Sequence, residues 1–97
     1  MNEALSRKQK AHILIRVEPG KEVELHNELR HIPNVAGIDL VRGPFDFIVV
    51  AEGTGGEVER VILQIRKLRY ILSTETLTSF ETYPWEDVSG RLDYGHL

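Results

Sequence analysis

The sequence predicts an α+β domain of the ferredoxin-like βαββαβ kind, with one antiparallel four-stranded sheet and two helices on one face. Three observations predict it. Residues 11–17 alternate apolar and polar with the period of a half-buried strand. Val58, Val61, Ile62, Ile65 and Leu68 repeat at the spacing of one helical face. The order of strand-like and helix-like segments is that of two split βαβ units, and right-handed crossovers leave few other arrangements.

Ala11, Ile13, Ile15 and Val17 point one way and His12, Leu14 and Arg16 the other, which makes residues 11–17 a first strand. Glu18-Pro19-Gly20 breaks it, and Pro19 suits a first helical turn. Leu25, Leu29 and Ile32, with Val23 beside them, give the first helix its apolar face, which Pro33-Asn34 ends. Residues 36–41 read as a second strand, Arg42-Gly43-Pro44 as a turn and residues 47–51 as a third strand. Gly53-Thr54-Gly55-Gly56 separates that strand from the second helix. The threonine-rich stretch 72–80 is the fourth strand.

Ninety-seven residues make one domain, with a core that association would enlarge. The sequence divides into an N-terminal extension (1–10), the folded domain (11–80) and an acidic C-terminal tail (81–97). Apolar residues are 41% and the net charge is −3. That balance argues against nucleic acid as the main partner, because phosphate binding needs a basic surface. Glu81, Glu86, Asp87 and Asp93 face only Arg91 in the tail, which supplies the whole excess. No apolar run approaches the ~20 residues of a membrane helix, and residues 1–10 hold no signal-like stretch. The expected location is the cytoplasm. The absence of cysteine excludes disulfides, thiolate catalysis and cysteine-ligated metals.

The residues that point to chemistry are few. Gly43 sits in a turn where a ligand can approach the backbone closely. Asp46 opens the third strand and can accept from an ammonium group in a charge-assisted bond. Thr74 and Thr76 present hydroxyls at alternate positions of the last strand. A glycine turn, one carboxylate and two hydroxyls suit a small-molecule sensor better than a catalyst. With Phe47, Val49 and Ala51 turned to the helices, Ile48 and Val50 face the opposite way, beside Leu14 and in phase with His12. An open apolar sheet face is expected to find a partner, here a second copy packed sheet against sheet. His12 in that interface would make assembly pH-sensitive.

Four motifs then occur in order: Pro19-Gly20, Ile32-Pro33-Asn34-Val35, Gly43-Pro44-Phe45-Asp46 and Ser73-Thr74-Glu75-Thr76. With them, residues 11–80 resemble the ligand-binding (RAM) domain of the Lrp/AsnC, or feast/famine, transcription regulators. The resemblance implies a dimeric α/β barrel, dimers assembled into octamer-like rings, and an amino-acid effector held near subunit interfaces. By that resemblance Gly43, Asp46, Thr74 and Thr76 are the ligand-binding residues. Two positions depart from the pattern. Pro44 removes a backbone donor from the turn, and Phe45 stands where family members often carry tyrosine. Regulators of this kind also carry an N-terminal helix-turn-helix domain. The ten residues before the first strand are too few for one, so a stand-alone sensor is expected, without direct DNA binding but able to form mixed oligomers with a full-length regulator.

No catalytic residue, cofactor or metal site is expected. His26 and His31 are five apart and do not share a helix face. No histidine pair, His12 and His96 included, has metal-ligand spacing. The alternatives are a small dimeric-barrel enzyme of the monooxygenase type, for which His12 and Asp46 are the one plausible acid–base pair, and a structural oligomer without ligand. Tyr83-Pro84-Trp85 gives the tail aromatic anchors, expected to pack on a neighbouring subunit or to cover the ligand cleft.

Overall fold

The protein is described by a computed structural model over residues 8–79. Strand β1 spans Lys8–Val17, helix α1 Glu22–Leu29, β2 Val35–Leu40, β3 Phe47–Thr54, helix α2 Gly55–Arg66 and β4 Ile71–Ser79. The sheet order is β2-β3-β1-β4, antiparallel throughout. This is the expected βαββαβ arrangement, with β1 and β3 central and β2 and β4 at the edges.

The inner face carries Ala11, Ile13, Ile15 and Val17 of β1 and Phe47, Val49 and Ala51 of β3, all buried. Leu25 and Leu29 of α1 and Val58, Val61 and Ile65 of α2 close over them in one core. Each Val, Leu, Ile or Phe side chain so buried contributes about 1.5–3 kcal/mol by removal from water. Ile32, Ile62 and Leu68 are half-buried against the same core. Val23 instead remains 72% exposed. Val23 precedes Leu25 by two residues in the helix, about half a turn, so it points away from the face set by Leu25 and Leu29. Pro19 sits in the turn before the helix, with Gly20 at φ +88°.

Two elements run longer than the apolar pattern indicates. β1 begins at Lys8 and β3 continues to Thr54 because the ladder extends through Lys8 opposite Thr54 and Lys10 opposite Glu52. Lys10 Nζ and Glu52 Oε2 are 3.4 Å apart across it. Thr54 then ends the strand and starts α2 at once. Its hydroxyl accepts from Glu57 N, and its own N–H donates to Glu57 Oε1 at 2.9 Å, a reciprocal capping box. Gly53, at φ +151°, permits the join: a Cβ there would lie 2.6 Å from Glu57 Oε1 and 2.9 Å from Asn34 Nδ2.

Candidate functional site

At one end of the sheet β1 and β2 finish while β3 and β4 begin. The turn between β2 and β3 holds Gly43 at φ +142°, a conformation that favours glycine. A Cβ at Gly43 would meet nothing within 4 Å, so the turn backbone is open to its surroundings. Asp46 closes the turn with three backbone-directed bonds. Its N–H donates to Ile15 O at 2.8 Å, its carbonyl accepts from Val41 N at 2.9 Å, and its Oδ2 accepts from Val17 N at 2.9 Å. The last bond has a clear cause. Val17 N–H points toward β3, but β3 starts only at Phe47 and offers no further backbone acceptor. The carboxylate takes that place. Among the described residues Oδ1 of Asp46 receives no hydrogen bond.

Thr74 and Thr76 are both half-buried on β4. They lie opposite Ile15 and Ile13 respectively. Opposed residues of an antiparallel pair share a face, so both threonines belong to the helix-covered side. Ile15 faces Thr74 on one flank and Phe47 on the other. The threonine strand and the Asp46 strand are therefore two ladder spacings apart, about 10 Å. One chain brings Gly43 and Asp46 together, and Thr74 and Thr76 together, with β1 between the two pairs.

On the outer face Leu14 lies opposite Ile48 and His12 opposite Val50, with Leu77 of β4 on His12's other flank. The first four are half-buried and Leu77 is 59% exposed. Both described helices pack on the inner face, so neither covers this patch. His12 and Asp46 are not within reach of each other. Asp46 aligns with Arg16, four residues along β1 from His12, about 13 Å at the rise of a strand. The one acid–base pair available to an enzyme reading is thus not assembled in the chain. His26 is taken up against Phe47, with ring centroids 6.3 Å apart, and His31 Nδ1 lies 2.7 Å from Asn27 O. His96 and the Tyr83-Pro84-Trp85 segment lie outside the described residues.

Sequence reasoning missed a second group at the same end of the sheet. Tyr70 adopts φ +73° and accepts Glu18 N on its carbonyl at 2.7 Å. Lys21 Nζ lies 5.3 Å and Arg69 Cζ 5.6 Å from its ring centroid. Arg69-Tyr70 is visible as a dipeptide, but Lys21 is distant in sequence and no spacing rule joins it to them.

No family model and no curated protein sequence matches the chain. Solved structures do. TTHA0845 from Thermus thermophilus is 31% identical, with 78% of this chain and 98% of that one aligned at a TM-score of 0.73. FFRP-DM1 is 32% identical over 74% of this chain and 99% of its own, at a TM-score of 0.68. The feast or famine regulatory protein Rv3291c of M. tuberculosis, solved in complex with L-methionine, is 20% identical, a likeness of fold. It aligns over 87% of this chain and 58% of its own length at a TM-score of 0.66.

Proposed function

This chain belongs to the Lrp/AsnC (feast/famine) family, as its ligand-binding (RAM) domain, and from that premise we propose that it senses a small effector, an amino acid, at an interface between subunits. The observation that carries the reading is Asp46. Its carboxylate is held beside an open glycine turn by one backbone N–H, and Oδ1 has no donor among the described residues. A fixed carboxylate with an unused oxygen suits an α-ammonium group.

Thr74 and Thr76 are proposed to act from a different subunit than the Asp46 that receives the ammonium, because about 10 Å separates the two pairs within one chain. Effector binding would then be coupled to assembly, since a ligand shifts an equilibrium only by its differential affinity for the two states. The assembly unit is a homodimer formed through His12, Leu14, Ile48 and Val50, closing as a dimeric α/β barrel, with rings of dimers and mixed oligomers with full-length regulators above it. The L-methionine bound by Rv3291c supports an amino acid as the effector class. The about 13 Å between His12 and Asp46 favours a regulator over an enzyme.

Thermal unfolding in the presence of each of the twenty amino acids tests the reading. An effector at ~100 times its Kd stabilises by about 2.7 kcal/mol. Asp46→Asn is the informative variant, because its amide oxygen still accepts Val17 N–H while the charge is gone. The expected result is a shift with one or a few amino acids, lost in Asp46→Asn without a matching loss of unliganded stability. No shift with any amino acid, or a shift that Asp46→Asn retains, would overturn it.

A further inference from the structure

We infer that Lys21, Arg69 and Tyr70 form an anion site that takes the carboxylate of a small organic acid, separate from the Asp46 turn. A tyrosine at φ +73° is an outlier, since the left-handed region crowds a side chain that glycine lacks. Strain of this kind marks positions held for a purpose by their surroundings. Tyr70 is held from two directions: its carbonyl accepts Glu18 N at 2.7 Å and its ring packs against the core. The ring in turn gathers two cations, Lys21 Nζ at 5.3 Å and Arg69 Cζ at 5.6 Å from its centroid.

Those distances leave the two charges no further apart than on the order of one Debye length (~10 Å), the range over which charges still act together. Neither charge is well neutralised. Lys21 has one carboxylate near it, Glu24 in the first turn of the helix that Lys21 precedes, at 3.9 Å, with both side chains partly exposed. Arg69 has no carboxylate within ion-pair distance among the described residues. The ring holds each cationic head in place before any anion arrives, which lowers the ordering cost of binding. The arginine fork suits a carboxylate geometrically and the lysine adds a point charge.

Asp46 Oδ2 and Tyr70 O take the N–H groups of consecutive residues, Val17 and Glu18. A negative pole and a positive pole therefore bracket the end of β1 from opposite flanks. The cationic group stands in the chain independently of the effector reading, because none of its three residues contributes to the Asp46 turn.

The test is thermal unfolding of the full chain titrated with glutarate, against sodium chloride at matched ionic strength. The expected result is a saturable rise in Tm with glutarate beyond that with chloride. Arg69→Gln and Lys21→Gln each weaken the apparent affinity roughly tenfold, the loss of one charge-assisted contact. Arg69→Lys recovers part of it, and Asp46→Asn responds as the wild type does. Equal rises in glutarate and chloride, or an undiminished glutarate response in the Arg69→Gln/Lys21→Gln double variant, would overturn the site. The Asp46 reading fails separately, on the amino-acid panel.

Discussion

The two faces of this sheet are built from the same strands and alternate residues, yet they differ in what completes them. On the inner face Ile13, Ile15, Phe47 and Val49 are buried by side chains that the same chain supplies from α1 and α2. On the outer face Leu14, Ile48 and Val50 sit one residue out of phase, half-buried, beside a Leu77 that is 59% exposed. Burial of aliphatic area is worth about 25 cal/mol per Å² whichever molecule supplies the cover. The inner face therefore accounts for why a single chain folds, and the outer face gives it a reason to associate. Polar groups frame that outer patch. Lys10 and Glu52 pair at one end, and Arg16 and Glu75 lie toward the other. Exposed pairs add little stability but can set orientation.

The contrast can be broken by substitutions matched across one strand. Phe47→Ala, on the inner face, is expected to cost about 3–5 kcal/mol from lost burial and the cavity left behind. Denaturant unfolding reads this directly. Its neighbour Ile48→Ala should change the folding of the isolated chain by less than about 1 kcal/mol while shifting the association equilibrium. A loss for Ile48→Ala as large as that for Phe47→Ala at a concentration where the chain is monomeric would erase the distinction between the faces.

Smaller effects sharpen it by testing the joints that hold the inner face closed. Gly53→Ala forces a Cβ to 2.6 Å from Glu57 Oε1. It should cost about 1–3 kcal/mol by straining a position with φ +151° and dislodging the cap. Thr54→Ala removes only the hydroxyl half of the capping box and should cost ~1 kcal/mol in the same assay. If Thr54→Ala proved the more damaging of the two, the close approach of Asn34 and Glu57 around Gly53 would not be the constraint that the distances indicate.

Much of the inner face is legible in the sequence because its signals are periodic. The stripe through Val58, Val61 and Ile65 and the alternation through Ile13 and Ile15 each need only local spacing. The three residues Lys8 to Lys10 give no such signal, since an end of the ladder built from lysine and glutamine has no apolar phase. Val23 lies next to the apolar stripe in sequence, but its two-residue offset from Leu25 turns it outward. The placement of Gly43 and Asp46 in one turn can be read from their spacing. The bond from Val17 N to Asp46 cannot, because it depends on where two strands stop relative to each other. The Tyr70 group is hidden for a similar reason. A tyrosine at a left-handed position carries no local marker, and its lysine partner comes from the other crossover, at the start of α1.

The family assignment places the chain among proteins whose named members include regulators, and the proposed sensing rests on completion of the outer face by a second copy. Sedimentation equilibrium of the wild type and of Ile48→Asp tests that most directly, with circular dichroism as the check on folding. The account expects the wild type to sediment as a multiple of the single chain, and Ile48→Asp to sediment as one chain with its helical signal intact. A wild type that stays a single chain at high micromolar concentration, or an Ile48→Asp variant that assembles as fully as the wild type, would contradict it.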